Sequence, residues 1–143
     1  MDELVRAFFE TYAKANSTLD VAAIGDLYAE TFLFAVRNMA KPVRKEDFLK
    51  VVPRMKDHFA SLGLMGTRLS SVETTELGSG YALAKVTWAM TLQTGSGLVK
   101  TFDAFAAYLV QRDDHDKLSI LFQLDHQDLA AVVKRERDAD SSG

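Results

Sequence analysis

A change of hydrophobic period limits this chain more than any other feature. Up to Gly63 most apolar residues recur at helical spacing, whereas from Gly66 onward they alternate with period two. Turn signals at Gly78-Ser79-Gly80, Gly95-Ser96-Gly97 and Asp113 to Asp116 divide the second part into four long strands joined as a meander. Helices first and an antiparallel sheet afterwards, with no alternating βα units, predict an α+β domain with helices against one curved sheet.

The helical part reads in three pieces. Leu4, Val5, Phe8, Phe9 and Tyr12 give a first amphipathic helix, which the polar Asn16, Ser17 and Thr18 interrupt. Thr18 or Asp20 can cap a second, short helix through Val21, Ile24, Leu27 and Tyr28. A β-branched and aromatic run from Thr31 to Val36 predicts a strand ending at Arg37 and Asn38, and Pro42 marks an edge or turn. The third helix opens in RKEDFLK with acidic residues in its first turn and stops near Gly63; Pro53 should kink it or restart it. A short helix is expected from Asp128, with 130–143 a frayed, charged tail beyond a single domain spanning 1–129.

Composition then removes whole classes of function. Seventeen Lys and Arg against twenty Asp and Glu give a formal charge of −3, unlike a nucleic-acid or polybasic membrane surface. There is no cysteine, which excludes disulfides, thiolate metal sites and cysteine nucleophiles. The three histidines, His58, His115 and His126, are too dispersed for an all-protein metal site, and no motif asks for a cofactor. The start MDELVRAFFETY is acidic without a long apolar run, so the reading is a cytoplasmic protein with neither signal peptide nor membrane span.

The ordered set FFETYAKA, LYAETFLFAV, VRKEDFLK and four closing strands resembles the nuclear transport factor 2-like superfamily, which includes SnoaL-like polyketide cyclases, ketosteroid isomerase and scytalone dehydratase. The resemblance runs from about Glu3 to Leu129. It implies a cone: three N-terminal helices packed on a strongly curved, mainly antiparallel sheet around a cavity, with dimers formed through the outer sheet face. Phe102, Tyr108 and Leu121 are the apolar residues expected on that outer face. Ketosteroid isomerase uses a first-helix tyrosine, a carboxylate base near the end of the first strand and a protonated aspartic acid on a later strand. Tyr12 and Asp103 are similar to the first and third by location, but Val36 to Met39 offers no carboxylate for the base.

Candidate site residues follow from the expected strand register. A two-residue turn at Gly95-Ser96 and a four-residue loop at Asp113 to Asp116 set Trp88 opposite Asp103, and Asp103 opposite His126. Leu109, Ala107 and Phe105 would share their face. One reading makes Asp103 and His126 a catalytic proton-transfer pair beside the flat wall of Trp88. The other has the two side chains merely satisfy each other at the sheet rim. Tyr12, Tyr28, Phe105, Met90 and Arg37 complete the expected ligand pocket, and no metal enters it.

Two function classes remain open. The first is a cofactor-independent acid-base enzyme, of isomerase, dehydratase or cyclase type, acting on a small apolar or aromatic molecule. The second is a non-catalytic ligand-binding module or dimeric scaffold. A homodimer is expected in either case, with neither nucleic acid nor membrane as partner.

Overall fold

The computed structural model describes residues 1–126 and 129–141. Helix α1 (Asp2–Thr18) begins with Asp2 and Glu3, whose charges favour the positive end of the helix dipole, and turns Val5, Phe9 and Ala15 inward. It ends at Leu19, held in the left-handed region at φ 51°. The Asp20 carboxylate then accepts from the Ala23 N–H at 3.1 Å and caps α2 (Val21–Gly25). This second helix is shorter than expected, because Tyr28 already belongs to a strand. Helix α3 (Lys45–Ser61) runs through Pro53 without restarting. Gly63 follows at φ 102°, a backbone state that few residues other than glycine adopt.

Six strands form one curved sheet in the order β2-β1-β6-β5-β4-β3. They are β1 (Tyr28–Val36), β2 (Met39–Arg44), β3 (Leu64–Gly78), β4 (Tyr81–Gln93), β5 (Val99–Arg112) and β6 (Leu118–Asp125). All neighbours are antiparallel except β1 and β6, which run parallel. The α+β architecture is therefore as expected, with one addition. The polar segment containing Lys41, Pro42 and Arg44 forms β2, an edge strand, where a proline costs the ladder little. Helices α1 to α3 cover the inner face, and their apolar sides meet it in a core that includes Phe9, Ile24, Phe32, Val86 and Tyr108.

The register departs from expectation at both hairpins. Gln93 pairs with Val99, leaving the five residues Thr94 to Leu98 in the first loop. Arg112 pairs with Leu118, leaving the five residues Asp113 to Lys117 in the second. Each strand is thereby shifted one place from the expected pairing, and one place exchanges the two faces of a strand. A bulge at Leu121 shifts β6 again: Val110 pairs with Ile120, but Leu109 pairs with Phe122. Ala104, Ala106 and Tyr108 consequently lie inside, as do Ile120 before the bulge and Gln123 after it.

The outer face takes Leu109 and Phe105, which the expected register set on the same face as Trp88. Leu33, Phe122, Leu109 and Leu83 stand abreast across β1, β6, β5 and β4. Phe105 lies on the same side at 47% exposure. Of the residues expected outside, Tyr108 is fully buried and Phe102 packs against the core.

The end of the chain also differs from the expected frayed tail. Residues Leu129–Ser141 form helix α4, with Val132 and Val133 buried. Lys100 of β5 holds Glu136 at 2.9 Å, both only partly exposed. Two apolar residues per turn suffice to dock a helix whose other positions are charged. Asp128, where the last helix was expected to begin, lies outside the described residues. Among the described residues no helix is long and apolar enough to cross a membrane.

Candidate functional site

Between α1, α3 and the inner face of the sheet lies a cavity of about 350 Å³. Its walls are mostly apolar: Phe34, Phe48 and Val52 on one side, Trp88, Met90 and Ala104 on the other. The Tyr12 and Trp88 rings are stacked, with centroids 5.2 Å apart and planes inclined by 26°. Phe9 supports both from behind, 6.0 Å from Tyr12 and 6.3 Å from Trp88. Met55 and Met65, which also line the space, are 44% and 60% exposed and mark its mouth. Lys56 lies there too, its ammonium donating to the Asn16 and Ser17 carbonyls at 2.6 and 2.7 Å and tying α3 to the end of α1.

A chain of hydrogen bonds crosses the floor of the cavity. The Trp88 indole N–H donates to the Tyr108 hydroxyl at 3.2 Å. The Tyr12 and Tyr28 hydroxyls are 3.2 Å apart, and Tyr28 donates to Gln123 Oε1 at 2.6 Å. Gln123 Nε2 in turn donates to Asp125 Oδ1 at 3.1 Å. Five elements thus supply one polar strip in an otherwise oily space: α1, β1, β4, β5 and β6. The bulge at Leu121 is what makes it possible, because it turns Gln123 to the side of Tyr108 and Tyr28.

The electrostatics follow from burial. Desolvation raises the Asp125 carboxyl above its ordinary value, against the opposing pull of the Gln123 hydrogen bond and of the neighbouring His126. Burial likewise pushes Tyr28 and Tyr108 well above the usual phenol range. Tyr12 is also raised by burial, against the opposing effect of its hydrogen-bonding partners Tyr28, Tyr108 and Gln123. The arrangement combines a carboxylate that takes up a proton more readily than usual with a buried tyrosine in the same hydrogen-bonded strip, which is a chemistry of proton transfer.

The sequence-expected residues divide between this site and the surface. Tyr12, Trp88 and Met90 border the cavity, and Tyr28 sits beside it, bonded to Tyr12; Phe105 joins the lining from a position whose side chain is on the outer face. Arg37 does not join them; it is exposed in the β1–β2 turn. Asp103 and His126 are not brought together in the cavity either. Asp103 pairs with Ala89 rather than Trp88, and His126 donates its backbone N–H to Phe105 at 3.2 Å. Both side chains are exposed: the longer first loop turns β5 by one place against β4 and puts Asp103 outside, and the second loop and the bulge together keep His126 on that same outer face. Sequence reasoning set Tyr108 on the outer face and put forward neither Gln123 nor Asp125 as a site residue. Their signal was present: two polar residues two apart, on one face of an otherwise apolar strand, with a tyrosine on the neighbouring strand.

Among the described residues no group of three or more His, Asp or Glu could hold a metal ion.

Comparison with known proteins places this geometry in a lineage. None of the curated proteins matches the sequence significantly. Among solved structures, the chain is similar to an NTF2-like protein of unknown function from Shewanella oneidensis, with a TM-score of 0.66 at 15% identity, covering 87% of this chain and 98% of that one. It is similar to an NTF2-like protein with a cystatin-like fold from Novosphingobium aromaticivorans, TM-score 0.69 at 12% identity, covering 92% and 86%. A ketosteroid isomerase-like protein from Erwinia carotovora gives 0.65 at 12% identity, covering 86% and 92%. At such identities the likeness speaks for the fold alone. The family model described as NTF2-like protein (DUF6841) matches residues 2–127, and the chain belongs to that family.

Proposed function

We propose that this protein binds a small, mostly apolar, ring-bearing molecule in the cavity and moves a proton on it without a cofactor. The observation that carries the reading is a single carboxylate, Asp125, at the floor of an apolar space and hydrogen-bonded into a tyrosine network. A volume of about 350 Å³ falls in the range of roughly 300 to 1,000 Å³ common to small-molecule sites. Asp125 serves as the base, its raised affinity for protons matching it to the task, and Tyr12 positions the reacting group. Isomerisation, dehydration and cyclisation all fit such a pair. The name of the ketosteroid isomerase-like neighbour is consistent with this reading.

The apolar row Leu33, Phe122, Leu109 and Leu83 supports a homodimer through the outer sheet face, which leaves the cavity mouth free. A cytoplasmic location agrees with the cysteine-free composition.

Trp88 is the sole tryptophan and lines the cavity, so its emission reports occupancy directly. A panel of small alicyclic and aromatic alcohols and ketones should include compounds that shift this emission saturably. Turnover of any that is a substrate should fall about 10²- to 10⁴-fold in Asp125→Asn. If nothing in the panel alters the emission, the scaffold reading replaces this one. Unchanged turnover in Asp125→Asn leaves a binding module.

A further inference from the structure

The hydrogen atoms of the cavity floor can be assigned one by one. A tyrosine hydroxyl has a single proton. Tyr28 gives its proton to Gln123 Oε1, so the Tyr12–Tyr28 bond must be donated by Tyr12. The Trp88 N–H is given to Tyr108, and one Gln123 amide hydrogen is given to Asp125 Oδ1. Donors therefore run along the strip from Tyr12 through Tyr28 and Gln123 to Asp125, and none of these protons is left for a guest. Asp125 Oδ2 takes no hydrogen bond among the described residues and remains available as an acceptor.

We propose that the floor of this cavity, with Asp125 ionised, presents an acceptor at that carboxylate and selects ligands that bury a hydroxyl or N–H donor there, such as a phenol or an enol, over the same skeleton carrying an ether. The inference rests on the reading that the cavity binds a small molecule, and it names the class. The ionisable groups acting on Asp125 are Tyr12 from α1, Tyr28 from β1, Tyr108 from β5 and His126 just beyond β6. Only His126 can offset the carboxylate's charge, and it is exposed, so solvent weakens its effect. A buried ether oxygen facing the same carboxylate would meet two acceptors with no proton between them. A hydrogen bond to a charged partner is worth enough to separate the two ligands by about tenfold to a hundredfold.

Thymol and thymol methyl ether make the matched pair, the ether carrying a methyl group in place of that proton. Calorimetric titration of the intact protein at neutral pH, checked by Trp88 emission, should show thymol binding at least about tenfold more tightly. In Asp125→Asn the amide supplies a donor, and the preference should fall below about threefold. Equal binding of both probes to the natural protein overturns selection by the Asp125 acceptor while the cavity reading stands. Binding of neither overturns both. A preference that persists undiminished in Asp125→Asn also contradicts the assignment. The comparison on the natural protein needs no variant, so it decides the matter even if the substitution prevents folding.

Discussion

Tyr28 and Gln123 are 95 positions apart in the chain, and the Tyr28 hydroxyl donates to Gln123 Oε1 across 2.6 Å. The bond fastens β1 to β6, the one parallel pair in the sheet, just past the bulge that turned Gln123 inward. Tyr28→Phe would leave a buried amide oxygen without its donor, at a cost of about 1 to 3 kcal/mol in stability. Urea denaturation measures it. Because both residues act in one network, adding Gln123→Met to Tyr28→Phe should cost less than the two single losses together.

Phe9 is fully buried, its ring centroid 4.7 Å from that of Tyr108 and close to Tyr12 and Trp88 as well. Phe9→Ala should destabilise the protein by about 3 to 5 kcal/mol, the usual cost of emptying such a space. The same variant should also weaken any ligand that shifts Trp88 emission, since the Tyr12 and Trp88 stack loses its backing. Stability loss below about 1 kcal/mol would mean that this aromatic cluster is not the core of the cavity.

Stability should carry a pH signature of two opposite signs. Asp125 binds its proton more tightly when folded than when unfolded, so its burial costs nothing at low pH and destabilises as pH rises through the raised value. Asp125→Asn should therefore gain stability relative to the natural protein above that range and show little difference below it. Asp113 behaves the other way. Its carboxylate accepts from the His115 and Lys117 N–H groups at 2.8 and 3.0 Å, which lowers its proton affinity. The stabilisation is present above the ordinary Asp value and lost as pH falls through the lowered one, so Asp113→Ala should matter at neutral pH and not in strong acid. Denaturation midpoints taken across acid and neutral pH separate the two.

How much of this was legible in the sequence depends on which physical signal each feature left. Element order, turns and helix caps were readable, because Gly78, Asp20 and the change of period act locally. The inner face of β4 was readable too: Val86, Trp88 and Met90 alternate with Lys85, Thr87 and Ala89. The faces of β5 were not, since Phe105, Ala107 and Leu109 are as apolar as Ala104, Ala106 and Val110. Period two separates a strand into two faces without saying which is buried. That choice fell to loop length, and neither the five-residue loops nor the bulge at Leu121 has a distinctive residue code. Trp88, Tyr12 and Met90 consequently reached the site from sequence alone, whereas Asp125 and Gln123 emerged only from the fold.

The outer row of Leu33, Phe122, Leu109 and Leu83 predicts self-association. Light scattering should give twice the monomer's 15.9 kDa at micromolar concentration. Leu109→Glu, on the outer face, should return a folded monomer. A monomeric mass for the natural protein would remove the dimer.

The account depends most on which face of β5 lines the cavity, and a chain without cysteine allows that to be measured by placing one. Ala104 is 6% exposed on the inner face, and Asp103 beside it is exposed on the outer. Reaction of single-cysteine variants with a bulky, membrane-impermeant thiol reagent should be fast for Asp103→Cys and slower by orders of magnitude for Ala104→Cys. The reverse order would put Asp103 in the cavity, take Asp125 out of it, and contradict the site described above.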